Sequence, residues 1–250
     1  MRISANLGFL WSDRPLPEAI RAAGRAGFDA VECHWPYEVA PALVRDALEE
    51  TGLPMLGLNT IRGEEGQNGL CALPGREADA KASIDDAIDY ANSVDAGGIH
   101  VMAGFSDGAE AHQTFVENLK YAAGATDRMI LIEPLNRHDA PGYFLKTTDQ
   151  ARSIIEEVSA PNIKLMFDCY HVGRTEGDVV TRLKDLLGVV GHIQFASVPD
   201  RGAPDHGELN YDAIFRSISE IGWSRPIGAE YKPGGTTEKT LDWLSKAKRF

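Results

Sequence analysis

The chain predicts an α/β fold of the (β/α)8 TIM barrel class. Two observations carry that expectation. Eight apolar, strand-like runs alternate with amphipathic helical stretches from end to end, the signature of βα units around a parallel sheet. The length of 250 residues is also typical of such a barrel built as a single domain, here 1–250. The strands fall near 2–7, 28–33, 54–59, 98–103, 129–133, 163–168, 190–197 and 226–230.

The helices between them carry their own punctuation. Pro15 and Pro17 mark the start of the first and Gly27 follows its end. Gly52 and Pro54 close the second, and Thr147 or Thr148 opens the fifth. In the third, near 75–95, Ala80, Ile84, Ala87, Ile88 and Ala91 recur at helical spacing among Asp and Lys, so one face packs inward. Two connections, 60–74 and 198–209, are long and rich in Gly, Pro and polar residues. Each follows a strand, which puts both on the mouth where barrels keep their active sites, and both are expected to act as lids. An ordinary surface insertion is the alternative.

Charge and cysteine content narrow the function classes. With 25 Lys+Arg against 37 Asp+Glu the net charge is −12, which argues against a sequence-independent grip on nucleic-acid phosphates. Three cysteines, Cys33, Cys71 and Cys169, are widely spaced without a CxxC, so neither a disulfide framework nor a zinc ribbon is indicated and a reducing cytoplasm is the expected compartment. The opening MRISANLGFLWSDR has no long apolar segment, so neither a signal peptide nor a membrane span is expected there.

Four runs in the second half end in an oxygen ligand: MILIE at Glu133, KLMFD at Asp168, GHIQ at Gln194 and PIGAE at Glu230. On consecutive parallel strands of a barrel their ends converge on one mouth. A single carboxylate after an apolar run is more often a helix cap. Glu133 and Glu230, however, are followed by EPLN and EYKPGG, and Asp168 is separated from the next expected helix by CYHVGRTEG. Three carboxylates and an amide oxygen are hard donors, which favour Mg²⁺ or Mn²⁺ over zinc. A cation with open positions can chelate a hydroxyl and a neighbouring carbonyl, acidify the adjacent C–H and stabilise an enediolate. Glu133 and Glu230, from strands three positions apart, can flank the substrate as an acid–base pair. Isomerisation or epimerisation is the simplest reaction class.

The segments LIEPLNRHDAPGYFL, FDCYH, GHIQFASVPDR with GELNY, and AGFDAVECHWPYE with NTIRGEEGQNGLCALPGRE resemble the hydroxypyruvate isomerase family, among the xylose-isomerase-like TIM barrels whose relatives include 2-oxo-tetronate isomerases. The similarity covers nearly the whole chain. It implies Glu133, Asp168, Gln194 and Glu230 as metal ligands, with Glu133 and Glu230 doubling as acid and base. It further implies a small 2-oxo or 2-hydroxy acid substrate, such as hydroxypyruvate interconverted with tartronate semialdehyde, and a homo-oligomer. The chain departs from the family pattern at Val172-Gly173 after strand six and at Ser197 and Asp200 after strand seven, which bears on pocket shape and substrate identity rather than on the ligands.

Among further candidates, Arg201 suits a substrate carboxylate with a bidentate guanidinium, its alternative being an exposed loop arginine. His171 is read as a donor to a ligand carboxylate or the substrate rather than a ligand. His100 is either a substrate contact or a satisfied barrel histidine, and Lys232 either meets an anionic group or is solvated. Asn6, His34, Tyr37 and Asn59 stand near the ends of strands one to three, and Phe9, Trp11 and Trp35 either wall the substrate or pack the rim. His192 is expected on the far side from the chemistry. The competing readings are a ketose 3-epimerase or inosose-type dehydratase on the same barrel, in which His often stands where Gln194 does, and a degenerate sugar-binding barrel. An endonuclease-IV-like enzyme needs a His-rich zinc cluster and a basic groove, neither of which this sequence shows.

Overall fold

The computed structural model describes residues 1–64 and 66–250. Eight parallel strands form the wall of a barrel: β1 (Ile3–Asn6), β2 (Ala30–Glu32), β3 (Gly57–Asn59), β4 (Gly98–His100), β5 (Met129–Ile132), β6 (Ile163–Asp168), β7 (Val190–Phe195) and β8 (Ile227–Ala229). Around the ring the order is β2-β1-β8-β7-β6-β5-β4-β3. The ends of that order meet, because Val31 bridges Met55 and the Leu56 N–H donates to the Val31 carbonyl at 2.7 Å. Several strands are shorter than their apolar runs suggest. β4 stops at His100, after which the chain leaves the ladder for the mouth.

Helices α1 (Leu16–Ala26), α2 (Pro41–Thr51), α3 (Glu77–Val94), α4 (Gly108–Ala125), α5 (Thr148–Val158), α6 (Cys169–Thr175), α7 (Val179–Leu186), α8 (Tyr211–Glu220) and α9 (Leu244–Ala247) surround the wall. Their ends follow from local chemistry. Gly27 and Gly52 close α1 and α2 with φ of 86° and 68°, left-handed values that a side chain rarely adopts. The Thr147 hydroxyl caps α5 by accepting the Gln150 N–H at 3.2 Å.

Asp168 departs from expectation. Helix α6 begins at the next residue, and Asp168 Oδ1 caps it by accepting the Tyr170 N–H at 2.8 Å. A carboxylate has two oxygens, so capping uses one and leaves Oδ2 free for the barrel interior.

Strand periodicity sorts the side chains. Phe195 faces outward and packs on Tyr211, Phe215 and Trp243, whereas its neighbour Gln194 faces inward beside Glu32. Asp168 pairs in register with Gln194, and Asn6 with Glu32, and a hydrogen bond from Gln194 to Glu32 joins the two pairs near the carboxyl ends. Glu133 and Glu230 follow β5 and β8 immediately, extending the inward-facing alternation by one position. No helix among the described residues is long and apolar enough to cross a membrane.

The two long connections lie at the mouth with different degrees of attachment. In 60–74 the second half is part of the wall: Leu70, Cys71 and Ala72 are buried, and Ala72 N–H donates to the Ala103 carbonyl at 2.7 Å. That leaves 61–68 as the exposed rim, within which Glu65 lies outside the described residues. In 198–209, Arg201 takes a left-handed backbone (φ 57°) and its carbonyl accepts the Lys232 N–H at 2.7 Å, tying this loop to the segment after β8.

Candidate functional site

A cavity of about 340 Å³ opens at the carboxyl ends of the strands, with Glu133, His171, Arg201 and Glu230 at its floor and Phe9, Trp35, Arg62 and Lys232 at its rim. Of the four strand-end residues expected to gather, Glu133 and Asp168 bring oxygens within 4.8 Å of one another, together with His171, whereas Glu230 is turned to Asn6, His34 and Arg201 and Gln194 lies beside Glu32. Glu133, Asp168, Gln194 and Glu230 are all buried. Glu230 Oε1 accepts from Asn6 Nδ2 and His34 Nε2, each at 2.9 Å, and its Oε2 faces Arg201 Nη2 at 2.6 Å. The same Arg201 nitrogen lies 3.8 Å from Asp168 Oδ2. Arg201 itself is sandwiched between the rings of Phe9 and Tyr170, at 4.8 and 5.0 Å, so it is an interior guanidinium rather than a free loop arginine.

Burial and mutual repulsion shape the charge of this cluster. Glu133 is pushed well above the ordinary carboxyl range by burial first and then by the charges of Glu230 and Asp168. Asp168 is raised to about 7, again by burial and by Glu230. Burial also opposes ionisation of Glu230, but Arg201 and the His34 hydrogen bond outweigh it and hold that carboxyl below its usual value. With all three carboxyls ionised and one guanidinium among them, the cluster would carry an excess of negative charge, which is what raises Glu133 and Asp168. A divalent cation is the group that would relieve it.

The donor atoms fit such an ion. Glu133 Oε1, Asp168 Oδ2 and Gln194 Oε1 are buried without a hydrogen-bond partner, which is costly for polar atoms unless something positive meets them. Glu133, Asp168 and His171 also present atoms within 4.8 Å of one another. His171 is nevertheless a donor. Its Nδ1 accepts the Asn136 N–H at 2.9 Å, and burial lowers its pKa to about 3, so the neutral ring carries its hydrogen on Nε2. That N–H points between Glu133 Oε1 (3.8 Å) and Asp168 Oδ2 (3.6 Å). In that tautomer Nε2 has no lone pair and faces the two carboxylates as a donor, without a hydrogen-bond partner of its own.

Other sequence candidates divide. His100 Nδ1 stands 3.7 Å from Glu133 Oε2, and burial holds its pKa near 4, so it too is neutral at the floor. Lys232 is exposed at the rim, whereas Tyr37 spends its hydroxyl on the Asn59 carbonyl at 2.5 Å. Phe9 and Trp35 line the cavity, but Trp11 is buried against Phe28 at 5.9 Å between ring centroids, away from it. His192 is not remote from the chemistry, because its Nε2 donates to Glu32 Oε2 at 2.8 Å and Glu32 in turn holds Gln194. Glu32 escaped the sequence reading, although DAVECH shows the same apolar run ending in a carboxylate that marked the four later strands.

Comparison with known proteins agrees with this architecture. The chain is 42% identical over 252 residues to the 2-oxo-tetronate isomerase of Cupriavidus necator, with 97% of each chain covered. It is 40% identical over 260 residues to the putative hydroxypyruvate isomerase of Mus musculus, covering 98% of this chain and 94% of that one. Among solved structures, the AP endonuclease, family 2, from Brucella melitensis superposes with a TM-score of 0.94 at 34% identity, with 98% of each chain covered. The family model described as xylose isomerase-like TIM barrel matches residues 20–247, and the chain belongs to that family.

Proposed function

We propose that this chain is an isomerase of small 2-oxo acids, interconverting hydroxypyruvate and tartronate semialdehyde or acting on the homologous four-carbon 2-oxo-tetronate. The observation that carries this reading is a cavity lined by Glu133 and Glu230, with the oxygens Glu133 Oε1, Asp168 Oδ2 and Gln194 Oε1 buried and unpartnered at the same end of the barrel. The relatives named 2-oxo-tetronate isomerase and hydroxypyruvate isomerase, alike over nearly the whole chain, support the substrate class.

Those four residues would hold a divalent ion, Mg²⁺ or Mn²⁺. When bound, such an ion polarises a substrate carbonyl and makes the neighbouring C–H more acidic. The chain's own groups do the rest. Glu133 and Glu230 stand on different sides of the floor, so one carboxylate takes the proton from the hydroxyl-bearing carbon and the other returns a proton to the former carbonyl carbon. In hydroxypyruvate this moves hydrogen from C3 to C2 through an enediolate, while the hydroxyl proton passes from the C3 oxygen to the C2 oxygen. His171 Nε2–H, aimed between Glu133 and Asp168, is placed to donate to a substrate oxygen during that exchange. Arg201 adds a fixed positive charge for the substrate carboxylate, and the Phe9 and Trp35 rings exclude water from the reacting carbons.

The test is turnover of hydroxypyruvate and of 2-oxo-tetronate by protein stripped with a chelator, before and after Mn²⁺ is restored, with solvent-deuterium incorporation followed by NMR. Metal-restored isomerisation with deuterium at the carbon is the expected result. Turnover of ketohexoses with none of the oxo acids would instead assign the barrel to 3-epimerisation.

A further inference from the structure

Glu32 lies below the cavity floor, and nothing in the proposed acid–base chemistry uses it. It is buried at the end of β2, and both of its oxygens are engaged. Oε1 accepts from Gln194 Nε2 at 2.8 Å and from Asn6 Nδ2 at 3.1 Å, while Oε2 accepts from His192 Nε2 at 2.8 Å. Asn6 is itself fixed, because its Oδ1 accepts the Gly8 N–H at 2.9 Å. Its amide therefore faces inward and reaches both Glu32 and Glu230 Oε1. Gly228 makes room for the group, since a Cβ there would collide with Glu32 Oε1.

The consequence concerns which end of the Gln194 amide meets the site. Only the carbonyl oxygen of an amide ligates a hard cation; the NH₂ end repels it. A carboxylate accepts hydrogen bonds and cannot donate them, so Glu32 selects the NH₂ end and turns Oε1 the opposite way. That oxygen is among the buried atoms without a partner. A void beside this network measures about 20 Å³, room for one water, and Gln194 itself is buried.

We infer that Glu32 is a positioning residue for the cation centre: it orients Gln194 directly and Glu230 through Asn6. This rests on the metal-dependent reading above and deepens it. What matters is the place of its acceptor atoms rather than its charge, and two conservative variants separate these. Glu32→Asp keeps the charge but withdraws the carboxylate by one methylene. Glu32→Gln keeps the length and an acceptor oxygen for Gln194, offers its own NH₂ to His192 once that ring moves its hydrogen to Nδ1, and loses the charge.

The experiment is calorimetric titration of Mn²⁺ into chelator-stripped protein, with thermal unfolding of each variant alongside. Glu32→Asp is expected to weaken Mn²⁺ roughly 10- to 100-fold, the usual range for a lost partner of a ligand. Glu32→Gln is expected to stay close to the parent. In a Gln194→Ala background the Glu32→Asp loss should shrink, because the ligand it orients is gone. Parent-like affinity in Glu32→Asp, or a loss in Glu32→Gln as large as in Glu32→Asp, overturns the role of Glu32 alone, and undiminished loss beside Gln194→Ala overturns its action through Gln194. Failure of the parent protein to bind Mn²⁺ overturns the metal-dependent reading and this inference with it.

Discussion

Arg201 sets a guanidinium nitrogen 2.6 Å from Glu230 Oε2, at the centre of a cluster in which every other charged group is a carboxylate. It compensates that cluster, and in the proposed function its remaining N–H groups would meet the substrate carboxylate. Replacing it by Ala is expected to raise KM roughly 10- to 100-fold, the worth of about 1.5–3 kcal/mol for a charged hydrogen bond. Steady-state kinetics on the preferred oxo acid decides it. Equal losses in kcat and kcat/KM would show a contact made only in the transition state.

Glu133→Gln and Glu230→Gln each replace one carboxylate oxygen, assigned proton transfer and cation binding in the proposed function, with almost no change of shape. Each is expected to fold and to lose at least about 100-fold in turnover, the lower end of what a positioned acid or base supplies. Circular dichroism together with proton-exchange NMR checks both halves. Activity in both variants would remove the acid–base assignment.

Gly228→Ala tests how tightly the network under the floor is packed. The added methyl meets the Glu32 carboxylate, which is held from three sides and cannot swing away freely. Overpacking of this kind costs about 1–3 kcal/mol, and thermal denaturation should show a lowered midpoint. An unchanged midpoint would mean that Glu32 has somewhere else to go.

The cysteines are predicted to be inert in the folded state. Cys33, Cys71 and Cys169 are free and buried, and burial pushes the Cys33 and Cys71 thiols up to about 12 from an ordinary 9.0. Below pH 9 both states hold the thiols protonated and stability is unaffected. Above it the unfolded chain ionises first, so stability falls as pH rises from 9 toward 12, by about 1.4 kcal/mol per pH unit for each such thiol. A disulfide reagent at pH 8 should find no thiol natively and three after unfolding; rapid reaction of the folded protein would contradict the burial.

Legibility differed from residue to residue for physical reasons. Glu133 and Glu230 were readable because a loop with proline follows each, which frees the carboxylate from capping. Asp168 was readable as a strand-end carboxylate but not as a cap, since α6 starts in CYHVGRT, a segment with no apolar period to announce a helix. The 60–74 segment read as a lid throughout, and no local signal tells that Cys71 and Ala72 pair with the backbone after β4.

What the sequence determined by itself was the barrel and the set of oxygen donors at its mouth, because strand alternation and strand-end residues are local properties of the chain. Only the tertiary structure decided how those donors are aimed. Asn6, Glu32, Gln194 and Glu230 stand on β1, β2, β7 and just past β8, far apart in the chain and adjacent only once the ring closes. Hydrogen bonds are directional over about 3 Å, so which end of an amide faces a cation is settled by neighbours across the barrel and not by neighbours in sequence.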